Sequence, residues 1–160
     1  MTSHMHRMLR IAIIVIATFA VAAPASAAEK EWPDSVSAYV AKVRKTVQTT
    51  DAAGYLAAVK NPNGALLIDV REPSEYASGH VVGTINIPRG LLEFKIWKTM
   101  GFPKKQVNMD TKIYTQCKSG GRATLAAAGL KKIGFTNVVA VVAPTKDFEK
   151  KGFPWEKPKK

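Results

Sequence analysis

The residues of this 160-residue chain that could do chemistry lie in one short run, Cys117-Lys118-Ser119-Gly120-Gly121-Arg122. Before the run stands Lys112-Ile113-Tyr114-Thr115-Gln116, a β-rich segment; after it comes Ala123-Thr124-Leu125-Ala126-Ala127-Ala128, a strong helix former. A strand that passes through a glycine-containing loop into a helix leaves several backbone N–H groups without helical partners, pointing into the loop. The helix dipole adds partial positive charge there, and Lys118 and Arg122 add full charges. Such surroundings favour the thiolate of Cys117 over its thiol and make it a nucleophile. The same cradle suits a small oxyanion, so nucleophile and anion site coincide. The competing reading makes Cys117 a small buried hydrophobe at a strand end. Two glycines, two flanking cations and a following helix weigh against that.

Cys117 is the single cysteine of the chain, which excludes an internal disulfide and a CxxC dithiol mechanism. Any chemistry at Cys117 uses one sulfur alone. His4, His6, His80 and Cys117 show no metal-ligand spacing, so neither a metal nor another cofactor is expected.

Arg7 and Arg10 lead into the apolar run Ile11 to Ala23, followed by Pro24 and Ala25-Ser26-Ala27. A cationic start, an apolar stretch and a small-x-small end describe a secretory signal peptide cut after Ala27. A retained membrane anchor is the competing reading, but spanning takes about 20 apolar residues. Export to a bacterial periplasm is the expectation. Without Arg7 and Arg10 the net charge falls from +12 to +10, and residues 101–160 carry +9 of it, thirteen Lys/Arg against four Asp/Glu. That half holds the cysteine loop, and its field suits a small anionic substrate, an acidic protein partner or an anionic membrane surface. Nucleic acid is not expected, since no motif for it appears and the chain is read as exported. The Lys-rich tail reads as a solvated end.

The elements that must hold the loop follow from the apolar pattern. Asp34 or Ser35 can cap a helix through Val36, Tyr39, Val40, Val43 and Val47, and Asp51 can cap a second from Ala52 to Val59. Ala65 to Val70, Thr84 to Ile87, Lys112 to Gln116 and Val138 to Val142 read as strands; Arg71 to Tyr76 turns into a brief helix. Helices are expected over Arg89–Lys98 and from the cysteine loop to Lys132, with Gly134 as a stop, and a last helix or turn over Pro144–Lys151. Strands alternating with helices imply an α/β domain, a parallel sheet with helices on both faces. In such sheets the site lies at the carboxyl ends of strands, where Cys117 falls.

Three motifs in order, Asp69-Val70-Arg71-Glu72, Gly79-His80-Val81-Val82-Gly83-Thr84-Ile85-Asn86-Ile87-Pro88 and Cys117 to Arg122, closely resemble the rhodanese, or thiosulfate sulfurtransferase, domain. The resemblance implies a single doubly wound α/β domain with a five-stranded parallel core over residues 50–155. Residues 1–27 would be the signal peptide, 28–49 a helical lead-in and 156–160 a basic tail. It further implies a Cys117 persulfide that carries sulfur from thiosulfate or a similar donor to a thiophilic acceptor. Lys118 and Arg122 would aid donor binding, with the backbone of Ser119, Gly120 and Gly121 cradling the outer sulfur. Cys117 and Arg122 are separated by four residues, whereas the related phosphatases and arsenate reductases need five, so the shorter loop resembles the sulfur-transferring type. The sequence departs from the family at Gln116, where a tyrosine is common, and after Val142, where many members have Gly-Gly.

Among the other polar residues, Asp69 and Arg71 read equally well as catalytic helpers or as a structural pair pinning the loop, and His80 as a turn residue. Arg122 could instead pair with a carboxylate such as Asp69 or Glu72. Arg89 could add an anion contact or be a plain surface arginine; Trp97 and Phe102 read as core or rim hydrophobes. A non-catalytic sulfur carrier or binding module, loaded by a protein partner, is the alternative function. A monomer is expected.

Overall fold

The computed structural model describes residues 32–157. The leader expected over 1–27, with His4 and His6, and the last three residues of the tail lie outside the described residues. Within them, no helix is long and apolar enough to cross a membrane.

Five short strands form one parallel sheet: β1 (Gln48–Thr50), β2 (Leu66–Asp69), β4 (Ile85–Asn86), β5 (Ile113–Gln116) and β6 (Val138–Val141), in the order β1-β6-β5-β2-β4. The register sets Asp69 beside Gln116 and Asn86, and Thr115 beside Ala140. β5 is central, so the residue that follows it, Cys117, leaves the sheet between the ends of β2 and β6. Strands covered on both faces must be apolar on both, which is why Leu67, Ile68 and all four residues of β6 are buried.

Successive side chains point to opposite faces. On one face Ile68, Val70, Ile113, Val138 and Ala140 pack against α4 (Leu92–Thr99) and α5 (Gly121–Lys132), through Leu92, Ile96, Ala123, Ala126, Ala127 and Leu130. On the other, Leu67 and Val141 pack with Tyr55 of α2 (Ala52–Lys60) and with Phe148 and Phe153. Helices therefore cover both faces, as the alternating pattern implied. Asp51 caps α2 by accepting from the Gly54 N–H at 2.9 Å. Gly134, at φ +107°, follows α5 and ends it as expected. The first helix, α1 (Asp34–Arg44), is tied to α5 by the Arg44 Nε–Thr124 Oγ1 contact of 3.4 Å.

The sequence reading needs correction at several elements. Gln48-Thr49-Thr50 is a sheet strand and straddles the expected boundary between lead-in and domain at residues 49 and 50. Two further two-residue strands, β3 (His80–Val81) and β7 (Trp155–Glu156), pair antiparallel beside the main sheet. α1 stops at Arg44, short of Val47, and Pro33 rather than Asp34 or Ser35 occupies its N-cap position. The helix expected from Arg89 opens as a 3₁₀ turn, Arg89–Leu91, before α4, whereas the helix or turn expected over Pro144–Lys151 is present as two 3₁₀ turns, Thr145–Asp147 and Glu149–Lys151.

Candidate active site

Cys117 sits where β5 ends and the N-terminus of α5 begins, with 2 % of its surface exposed. Its Sγ accepts hydrogen bonds from the backbone N–H groups of Gly120 at 3.2 Å and Ala123 at 3.4 Å. These are donors that the first turn of a helix leaves unused, here converging on one sulfur. Gly120 reaches this position with φ +97°, and a Cβ there would lie 2.8 Å from the Cα of Val142. Only glycine satisfies both the left-handed backbone and the close approach. The Gly120 carbonyl, turned the other way, accepts from the Thr124 hydroxyl at 2.7 Å.

Two supports hold the loop. After β6 the chain passes directly over Gly120, and Thr145 donates its N–H to the Lys118 carbonyl at 3.0 Å and its hydroxyl at 3.3 Å. The Val142 to Thr145 segment thus walls the loop with a threonine and backbone atoms. The second support is α3 (Pro73–Ala77), a short helix with a capping box: the Glu72 N–H donates to Glu75 Oε2 at 3.1 Å. From there Glu75 meets Arg122 in a two-pronged pair, Nη1–Oε2 at 2.5 Å and Nη2–Oε1 at 2.8 Å. The Arg122 hydrogen bonds hold the Glu75 carboxyl at about 2, below its usual range, and Glu75 in turn raises Arg122. The carboxylate partner of Arg122 is therefore Glu75, not Asp69 or Glu72.

Asp69 and Arg71 form the structural pair. Arg71 donates to Asp69 Oδ2 through Nε at 2.9 Å and Nη2 at 2.7 Å, and its backbone N–H reaches Oδ1 at 3.0 Å. Both residues are buried. Arg71 also donates to the carbonyls of Glu75 at 3.1 Å and Gly79 at 2.9 Å, so it pins α3 and the turn that follows it. Asn86 completes this corner, donating to the Asp69 and Arg71 carbonyls at 3.0 and 2.9 Å. His80 fits a structural place: its ring stacks on Tyr76 with centroids 3.7 Å apart, Nδ1 donates to the Tyr76 carbonyl at 3.1 Å, and Nε2 faces Glu156 at 3.4 Å.

Lys118 and Ser119 are exposed at the loop's outer edge. Arg89 is not brought to the loop. Its Nη1 donates to both Glu93 oxygens, at 2.9 and 3.0 Å, and its guanidinium lies against Gly129. That point is eight residues, about 12 Å, along α5 from Gly121. A partner four residues on along a helix captured this arginine. Trp97 of α4 packs against the core beside Phe135, and Phe102, in the turn after that helix, meets its edge from solvent.

The parts played by two residues are not legible in the sequence. Glu75 was readable as the far member of a Glu72…Glu75 capping box but not as the loop's counter-ion. Gln116, directly before the cysteine, is fully buried with both amide atoms lacking a hydrogen-bond partner.

A buried sulfur on a strand–loop–helix, met by N–H donors and separated from an arginine by four residues, is what the motifs led one to expect. Residues 52–144 match the model of the rhodanese-like domain. The chain belongs to this family. A mitochondrial protein of Schizosaccharomyces pombe, provisionally named a thiosulfate sulfurtransferase, is 34% identical over 64% of this chain and 78% of its own length. A protein of Bacillus subtilis provisionally named a sulfur carrier is 35% identical over 51% of this chain, which spans only 40% of that relative. Among solved structures, a Rhodopseudomonas palustris protein provisionally described as a tyrosine phosphatase superposes with a TM-score of 0.63 at 25% identity, over 76% of this chain and 93% of its own. The rhodanese-like relatives support a sulfur-transfer role for the domain.

Proposed function

We propose that the protein is an exported sulfurtransferase that takes a sulfane sulfur from thiosulfate, or a similar donor, and passes it to a thiophilic acceptor through Cys117. The Cys117 thiolate attacks the outer sulfur of thiosulfate; the S–S bond breaks and sulfite leaves with the bonding electron pair. The product, Cys117–S–S⁻, keeps its negative outer sulfur within reach of the loop's N–H groups. An acceptor such as cyanide then attacks that sulfur, thiocyanate leaves, and the Cys117 thiolate returns. Proton transfer is needed in neither half. The observation that carries this reading is the convergence of the Gly120 and Ala123 N–H groups on one buried sulfur. The four-residue spacing from Cys117 to Arg122 favours sulfur over phosphate as cargo.

Intact-mass measurement after incubation with thiosulfate tests it. One added sulfur atom, labile to cyanide and absent in Cys117→Ser, is expected; no gain with any small sulfane donor would overturn the enzyme reading. Steady-state thiocyanate release separates a turning-over enzyme from a carrier loaded by a partner. We also propose export with cleavage after Ala27, read from the sequence, and a monomer whose basic second half meets an anionic surface. Protein recovered from the periplasm should begin at Ala28.

A further inference from the structure

Arg122 is the fork-shaped cation of the loop, the group best built to take two oxygens of an oxyanion at once. Both of its terminal nitrogens already bond Glu75, at 2.5 and 2.8 Å. Glu75 is itself held: its carboxylate accepts from the Glu72 N–H at 3.1 Å, and its carbonyl accepts from Arg71, which is clamped to the buried Asp69. Asp69, Arg71, Glu75 and Arg122 thus make a chain of alternating charge running from the end of β2 to the cysteine loop. The charges cancel in pairs. At Arg122 a loop that is cationic by sequence is close to neutral.

We propose that Glu75 is a specificity-determining residue, which neutralises Arg122, turns its fork toward α3, and so weights the site from dianionic thiosulfate toward singly charged sulfane donors. The proposal rests on the reading of Cys117 as sulfur acceptor. With a thiosulfonate, R–SO₂–S⁻, the Cys117 thiolate attacks the outer sulfur, the S–S bond breaks, and R–SO₂⁻ leaves with the electron pair. Cys117–S–S⁻ results, and two negative charges stand on each side. The chemistry matches that of thiosulfate, but donor and leaving group each carry one charge less. A free guanidinium would favour the dianion; a paired one removes that preference.

The experiment compares kcat and KM for thiosulfate and methanethiosulfonate in the wild type, Glu75→Gln and Glu75→Asp, beside the melting temperature of each. Glutamine keeps an acceptor for the Glu72 N–H and nearly the same volume but no charge. In Glu75→Gln the ratio of kcat/KM for thiosulfate to that for methanethiosulfonate is expected to rise about fivefold or more, through a lower thiosulfate KM. That KM should also climb more steeply with ionic strength than in the wild type, which a purely structural role would not produce. Glu75→Asp, which keeps the charge, should shift the ratio less. A ratio unchanged within about twofold, or a thiosulfate KM that rises in Glu75→Gln, would overturn the proposal. Wild-type Cys117 that takes sulfur from neither donor would defeat the sulfur-transfer reading itself, and this shows before any variant is made.

Discussion

The backbone N–H of Gly120 points at the Sγ of Cys117 from 3.2 Å, and the Cα of Val142 leaves no room for a side chain on the residue that donates it. Loop geometry and cysteine environment are therefore one constraint. Gly120→Ala meets a backbone atom and a φ of +97° together, and the chain must shift to accept it. A loss of about 1–3 kcal/mol in urea unfolding is expected. Because the N–H moves with the backbone, the rate of sulfur loading followed by mass spectrometry should fall at least about tenfold.

Asp69 is set directly against the buried Arg71 side chain and takes three of that residue's N–H groups, one of them from the backbone. Asp69→Ala leaves the guanidinium buried and unpaired. Such a change costs about 3–5 kcal/mol, a large part of the stability of a domain this size. Chemical denaturation should show it, together with loss of the α3 contacts at Glu75 and Gly79.

The Glu75–Arg122 pair makes a pH-dependent contribution whose direction is set. Arg122 hydrogen bonds lower the Glu75 carboxyl from its usual 4.5 to about 2 in the folded protein. A depressed folded-state value stabilises above the unfolded value and loses that contribution as pH falls through the folded one. The pair is about one-third exposed, so solvent screening limits it to about 1 kcal/mol. Wild type should exceed Glu75→Gln by that amount near neutrality, with the difference closing between about pH 4.5 and pH 2. A difference that persists at pH 2 would contradict the assignment.

Gln116 buries an amide whose two polar atoms find no hydrogen-bond partner. Leaving buried polar atoms unpaired costs about 1–3 kcal/mol, so Gln116→Met, of similar length and shape, should stabilise by about 1 kcal/mol. The melting temperature checks this directly.

The parts of the fold that were legible are those where apolar content and position agree. Leu66 to Asp69 and Val138 to Val141 had to be inner strands because both faces are covered. Cys117 followed from a strand, two glycines and an alanine-rich helix in succession. Gln48-Thr49-Thr50 gave no such signal: an edge strand of three polar residues is held by its β6 partner, not by its own pattern. The β3–β7 pair joins residues more than seventy apart, and no local periodicity reports that. The cations show the same limit. The sequence offers both Arg89 and Arg122 as anion contacts without fixing a partner for either, yet Glu93 takes one and Glu75 the other, and only the second partner lies at the loop.

Cys117 shows 2 % of its surface, and this has a consequence for how the chain meets its own copies. A disulfide brings two sulfurs to about 2.05 Å with their Cβ atoms about 3.8 Å apart. Two folded chains cannot bring sulfurs recessed in this way to that distance, so oxidation should not cross-link them. The protein should run as a single chain on a non-reducing gel after exposure to air, and form covalent dimers only once denatured. Burial, not a disulfide partner, is what keeps this lone thiol from its own copies.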